Sequence, residues 1–553
     1  MHMRVLTLIA AFCAVAATAF AAEPNNLPWY PSLQAFEHYD SGRSHVFSQA
    51  EFHGSFHQPN TVAEIRSADG VYPSGYNMSY LNEDAAFIQG GSYGGIPPSI
   101  GPFVARIDPR TLETVWKNQL TINDTAAGGN GDWNYPGAMA IMNDGFIYVV
   151  SGYFIYKVNP VTGATVDQLQ LPTMVNMQTN WPCNNPVIYS DTAVENKQNT
   201  AYNGINALPD GTIILKSLYR VAGCTSDGPD AFQCDPNNNV PASILVSVDP
   251  GRNGKPMKKI DQVTLPHFVG ARPTITRYNG VDYVYLLSQI ATPIRYSVKD
   301  GFFTFETNWQ PQAFNVDGKQ QAGGSLIVMN EWIVGATNSV PATGPITIFA
   351  IHQGDPTNVH WVQPFMDDPV APLLAFAYQG KAPNPPFQCE DNNNPPPPDQ
   401  VPPYFGADAI SWAGMSPEAD PENGLFYGVE TLARKVAAFR ISKNKGIETV
   451  WKETQTTTEW ATLIGPKSHR VWVGTDIPDF QIPGANANDW VVWRDARTGR
   501  ELARSRILPT NMTQGSAVQP GYDGSVYFPG QEGMLIKLTP QPEPRGKGQG
   551  PKP

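Results

Sequence analysis

Eight polar or small residues stand at matching places along this 553-residue sequence, each just ahead of a hydrophobic run: Asn77, Tyr135, Asn203, Arg272, Gly324, Asp408, Glu459 and Gln514. If those runs close into a ring, the eight positions converge on its axis. Their chemistry is that of a ligand site. The carboxylates Asp408 and Glu459, with the amide oxygen of Asn203, suit Ca2+, a hard cation that takes oxygen ligands. Arg272 suits a carboxylate, a phosphate or a quinone oxygen, because its planar fork donates two parallel hydrogen bonds. Asp408 or Glu459, desolvated, would serve as a general base, so a catalytic set of Asp408, Glu459 and Arg272 is expected. Asn77, Tyr135, Asn203 and Gln514 would hold a bound molecule. The plainer alternative is a wet channel whose polar walls pair with one another.

A second cluster lies upstream. His38, His45, His53 and His57 gather four of the nine histidines into about twenty residues. Imidazoles in that density point to a metal, although spacings of seven, eight and four match no known ligand pattern. Single histidines at His267, His352 and His360 read as structural. No Gly-x-Ser-x-Gly, His-Glu-x-x-His or phosphate-binding loop occurs. A net charge of −12 argues against nucleic acid, whose binding needs a basic surface.

The elements that would position these residues repeat. From Gly137, Ala138–Met142 reads as a strand, Asn143-Asp-Gly as a hairpin turn, and Phe146–Val150 as a second strand. Tyr153–Val158 makes a third and Ala164–Leu171 a fourth. Related units lead from Asn77, Ile205, Thr274, Ser325, Ala409, Ala461 and Ser516, giving about eight. The charged fraction is only 16%, while Gly (49) and Pro (52) are abundant, which fits short strands and tight turns rather than long helices. The fold expected is all-β: a single β-propeller of eight four-stranded antiparallel blades, or seven if the Asn77 unit is partial. The last unit stops after its third strand near Thr539, and Thr61–Arg66 is expected to supply the missing fourth. Closing the ring from both chain ends hides its sheet edges.

The turns between third and fourth strands carry a signature: Ile107-Asp-Pro-Arg-Thr-Leu-Glu-Thr-Val-Trp116, Val158-Asn-Pro-Val-Thr-Gly, Val248-Asp-Pro-Gly and Arg494-Asp-Ala-Arg-Thr-Gly. This resembles the PQQ-like, quinoprotein-type β-propeller superfamily, whose repeats carry Asp-x-x-Thr-Gly followed by Trp. Trp116, Trp361 and Trp451 stand where a Trp that docks one blade on the next is expected. The resemblance implies a periplasmic dehydrogenase using PQQ and Ca2+. The adjacent cysteine pair and appended haem domain of many such enzymes are absent.

Residues 1–21 read as a signal peptide, with Arg4, an uncharged Val5–Phe20 stretch and Ala19-Phe-Ala before a cut after Ala21. A periplasmic or secreted location follows, with no integral membrane segment. Of five cysteines, Cys13 falls in that segment, leaving Cys183, Cys224, Cys234 and Cys389. Three pairings are possible; the expected one joins Cys224 to Cys234 locally and Cys183 to Cys389 across a long loop. Residues 22–60 form an N-terminal extension, 61–540 the propeller and 541–553 a disordered tail. Three functions fit: a quinoprotein-like oxidoreductase acting on a small molecule in the central funnel; a non-catalytic binding or assembly propeller whose loop face takes a protein or polysaccharide; and a metal-dependent lyase or hydrolase.

Overall fold

The computed structural model describes residues 28–544 apart from 92–100, 123–135, 175–188, 191–199, 220–241, 253, 267–268, 289–290, 313, 315–319, 340–345, 369–416, 432, 443–444, 458, 478–487 and 514. The signal segment and all four remaining cysteines lie outside these residues. No helix among them is long and apolar enough to cross a membrane.

Eight four-stranded antiparallel sheets follow one another around the ring. Blade 1 is Met78–Asn82, Ala85–Gly90, Phe103–Ile107 and Thr114–Gln119. Blade 2 is Pro136–Ile141, Ile147–Ser151, Phe154–Val158 and Thr165–Gln170. Blades 3, 4 and 5 start at Thr200–Ala207, Thr274–Tyr278 and Ile327–Met329. Blades 6, 7 and 8 start at Glu418–Asp420, Thr462–Ile464 and Gln519–Pro520. The Asn77 unit is a whole blade, so the count is eight rather than seven.

Blade 8 closes as its sequence requires. Its third strand, Leu535–Pro542, pairs along its whole length with Asn60–Arg66, from Asn60 opposite Pro542 to Arg66 opposite Ile536. One sheet thus joins the two ends of the described chain, and the ring has no open blade.

In blade 6 the described partner of Leu425–Glu430 is Glu418–Asp420, and Ala409–Trp412 lie outside the described residues. Ser-Pro-Glu-Ala-Asp-Pro has the composition of a loop, and only tertiary partners make it a strand. Glu418 accepts from the Ala461 amide, and Asp420 accepts from Arg470, whose side chain is fully buried.

Blade-to-blade docking follows one rule with several residues. Trp116 of blade 1 lies on Gly163 of blade 2, where a Cβ would stand 2.7 Å from the ring. Trp451 of blade 6 does the same to Gly499 of blade 7 at 2.8 Å, and its Nε1 donates to the Ala496 carbonyl at 3.0 Å. Both glycines have positive φ, so turn geometry and close approach both require them. Trp361 does not dock: it is 46% exposed, and His360 beside it faces Gly446, where a Cβ would stand 3.5 Å from the imidazole. Strand side chains alternate between faces, so a shift of one residue moves the ring outward.

The residues before the closing strand are not a loose extension. Residues 28–50 enter the ring and run past the innermost strands of every blade. Gln34 O accepts from Tyr80 N, Ala35 O from Ile141 N and Ser41 O from Ile275 N. Gly42 O accepts from Val328 N, Ser44 O from Ala419 N and His45 O from Leu463 N. Ser41 Oγ reaches the Ala207 carbonyl, the Leu33 amide reaches Tyr522, and Val46–Phe47 pairs in parallel with Leu463–Ile464. The inner edge of a blade normally leaves amides unpaired, and this segment satisfies them. Trp29, Leu33, Phe36, Val46, Phe47 and Ala50 anchor it, all buried, with Trp29 stacked on Phe36 at 4.3 Å.

Candidate functional site

The axis of the ring is where the sequence placed a site. Each blade enters its innermost strand from one face, so the second-to-third connections and the connections between blades share that face. The long segments 92–100, 123–135, 220–241, 369–416 and 478–487 all leave from strand ends there. The opposite face carries tight turns such as Asn143-Asp-Gly and Asn279-Gly.

Arg272, from the entry to blade 4, does project to the axis. Its guanidinium lies 4.8 Å from the Trp460 ring of blade 7 and 5.2 Å from the Tyr76 ring of blade 1. Residues from distant blades therefore meet, as the converging register predicts. What fills the centre is the protein's own segment. Glu37 Oε1 accepts a short hydrogen bond from Arg272 Nη1, and both side chains are about 5% exposed or less.

The other predicted residues that the structure describes are committed to the frame. Asn77 Oδ1 accepts from Met139 N and its Nδ2 donates to Met139 O, each at 3.0 Å, clamping blade 1 to blade 2. Glu459 Oε2 accepts from Gly515 N at 2.5 Å, joining blade 7 to blade 8. Asn203 Nδ2 donates to Gly270 O at 3.1 Å, and its buried Oδ1 has no partner among the described residues. Gly324 precedes Ser325, whose Oγ accepts from Arg272 N. Tyr135, Asp408 and Gln514 lie outside the described residues.

The histidine cluster divides. His38 and His45 are buried on the axis, whereas His53 and His57 lie on the outside, His53 beside Glu51. His45 Nδ1 lies 3.1 Å from the Ala461 carbonyl, and His45 Nε2 lies 2.5 Å from His38 Nδ1. A carbonyl can only accept, so His45 carries its proton on Nδ1 and His38 donates from its own Nδ1, an assignment made from the network. That leaves His38 Nε2 bare to accept from Arg43 Nη2, with Arg272 Nη1 at 3.4 Å. Burial, reinforced by Arg43 and Arg272, holds His38 well below the ordinary histidine range. Burial, then His38 and Arg43, does the same to His45. Burial also brings the Arg43 guanidinium down to about 9, so it stays charged at neutral pH. Among the described residues no three His, Cys, Asp or Glu side chains are grouped to hold a metal ion.

Above the tip of this segment is a cleft lined by Glu37, His38, Tyr76, Asn77, Trp460 and Ser516. It is narrow, its walls being the Tyr76 and Trp460 rings and the Glu37–His38 tip. A planar quinone with its Ca2+ needs an open cradle of free polar groups. At this level the described residues do not provide one, since Arg272 is taken by Glu37 and Glu459 by Gly515, while Asn203 and Glu459 stand on blades 3 and 7. Sequence reasoning missed Glu37, Arg43, Tyr76 and Trp460, because nothing in residues 28–50 signals where that segment goes. It also missed Glu418, whose carboxyl burial pushes up to about 8.

No protein-family model matches the chain, and no curated protein matches it in sequence. Solved structures do match in shape. The quinohemoprotein alcohol dehydrogenase of Comamonas testosteroni superposes with a TM-score of 0.52 at 10% identity, over 91% of this chain and 80% of that one. A europium-containing methanol dehydrogenase superposes with a TM-score of 0.50 at 8% identity, over 91% of this chain and 97% of that one. The chain shares the propeller fold of these two dehydrogenases.

Proposed function

We propose that this quinoprotein-type propeller is an exported binding or assembly scaffold rather than an axial dehydrogenase, with its loop-bearing face turned to a protein or polysaccharide partner. The observation that carries this reading is the occupied axis. Of the residues whose convergence implies catalysis, Arg272 is neutralised by the protein's own Glu37, which stands where a substrate or cofactor carboxylate would meet it. A fold shared with dehydrogenases does not transfer their chemistry, which belongs to sites rather than folds.

Two measurements test it. Purified protein is equilibrated with PQQ and Ca2+, desalted, and examined by absorbance and metal analysis; no stoichiometric quinone band or Ca2+ is expected. Retention of both would overturn the scaffold reading and move the site above the segment tip, toward Tyr135, Asp408 and Gln514. Separately, a photo-crosslinker is placed at exposed Ile122 on the loop-bearing face, and another at exposed Val161 on the tight-turn face. Capture of a partner from Ile122 and not from Val161 is expected; equal or absent capture counts against the proposed face.

A further inference from the structure

Residues 37–45 differ from the anchors on either side of them. The segment's buried apolar anchors are Trp29, Leu33 and Phe36 before this stretch and Val46, Phe47 and Ala50 after it; within it, Tyr39 also packs against the core, its ring 5.4 Å from that of Phe47. The tip between, Glu-His-Tyr-Asp-Ser-Gly-Arg-Ser-His, is mostly polar. Three of its non-glycine residues, Tyr39, Arg43 and His45, have φ of 72°, 64° and 63°. Side chains with a Cβ disfavour that left-handed region, so the surroundings must hold the tip in place.

Besides its backbone hydrogen bonds to the inner strands and the Glu37–Arg272 pair, the tip is held by the hydrogen-bonded chain from Ala461 O through His45 and His38 to Arg43. With both imidazoles neutral every link of that chain is made. A proton added to His38 Nε2 removes the acceptor that Arg43 Nη2 uses and puts a cation against two guanidiniums. Glu37 Oε1 already lies 2.6 Å from His38 Nε2, so the new N–H bonds to it and loosens its grip on Arg272. A proton added to His45 Nε2 breaks the His38–His45 hydrogen bond.

We infer that the tip Glu37–His45 is a proton-released latch: closed while both imidazoles are neutral, and withdrawn from the ring axis when the pair takes up a proton, with the anchors and the ring staying in place. The ring does not depend on the latch for closure. Its closing strand, Asn60–Arg66, is held independently, with Asn60 Nδ2 donating to Ser55 O and Leu502 O.

The groups facing the pair are few. Glu37, Asp40 and Arg43 come from the same segment and Arg272 from blade 4. Tyr76 and Trp460 present only rings. Glu459 adjoins Trp460. Glu418, one residue's amide away at Ala461, is raised by burial to about 8, so it is already mostly protonated at pH 7.5 and completes its titration above the range in which the pair takes up a proton. Asp40 is the one neighbour that burial also brings toward titration, and it accepts from Ser44 N and Oγ inside the tip.

Hydrogen exchange of the whole protein between pH 7.5 and 4.5 tests this, with rates corrected for intrinsic pH dependence. Four ring amides are capped by tip carbonyls: Ile275, Val328, Ala419 and Leu463. Tyr80 and Ile141 are capped by anchor carbonyls of the same segment. The expected result is loss of protection by tenfold or more at the four tip-capped amides on acidification, while Tyr80 and Ile141 stay protected. Equal loss at all six, or none before the ring unfolds, overturns the latch. The His38→Gln, His45→Gln double variant should lose the pH response and Asp40→Asn should keep it; the reverse pattern assigns the response to Asp40 and also overturns the proposal. The wild-type measurement decides the matter even if a variant does not fold.

Discussion

Glu37 and Arg272, 235 positions apart, form a buried ion pair on the axis of the ring, one partner from the N-terminal segment and the other from blade 4. The pair explains how a convergent set of charged residues can exist without an open site. It also sets a test of stability. Removing one member of a buried pair leaves an uncompensated charge, which costs about 3–5 kcal/mol. Glu37→Ala should lower the unfolding free energy by that order in denaturant titrations. Adding Arg272→Leu should recover much of the loss; an additive further loss would show that the pair is not coupled.

The tryptophans at corresponding points of blades 5 and 6 should behave oppositely. Trp451 is buried against Gly499, so Trp451→Ala should cost about 3–5 kcal/mol. Trp361 is exposed, and Trp361→Ser should stay within about 0.5 kcal/mol. Thermal unfolding of the two variants side by side reads the difference.

Two left-handed glycines separate conformational cost from crowding. At Gly499 a Cβ would stand 2.8 Å from the Trp451 ring at φ +75°, while at Gly424 nothing lies within 4 Å at φ +65°. Gly424→Ala should therefore cost only the left-handed penalty, about 1–2 kcal/mol. Gly499→Ala should add an overpacking cost of about 1–3 kcal/mol more. Equal Tm shifts would mean that the Trp451 ring moves aside freely.

Stability should pass through a maximum with pH. Glu418 titrates near 8 in the folded chain and near 4.5 when unfolded, so between those values the folded state holds a proton that the unfolded state has released. Stability then falls as pH rises through that window. His38 and His45 act in the other direction, because below their ordinary 6.5 the unfolded chain binds protons that the buried pair refuses. Stability therefore also falls as pH drops below 6.5. Glu418→Gln should flatten the alkaline limb and leave the acid limb, as read by denaturant midpoints from pH 4.5 to 9.

Local grammar was enough to read the ring from the sequence. Turn pairs such as Asn143-Asp-Gly and alternating apolar runs define each blade on its own, and the unfinished last unit calls for a partner that Thr61–Arg66 can supply. Those signals act over a few residues, so they survive without knowledge of the rest of the chain. The axial register of Arg272 was legible for the same reason, being a fixed offset from a strand start. What only the tertiary structure decided is what Arg272 meets. Glu37 and His38 lie in a stretch with no helical or strand period, and their place on the axis comes from hydrogen bonds to inner strands spread over most of the chain. The first strand of blade 6 was hidden likewise, since the buried Glu418 and Asp420 are accommodated there by hydrogen bonds from the Ala461 amide and from Arg470. The one-residue difference between a docking Trp451 and an exposed Trp361 is also beyond local reading, because strand register against a neighbouring blade is set by packing between sheets rather than by the residues of either strand.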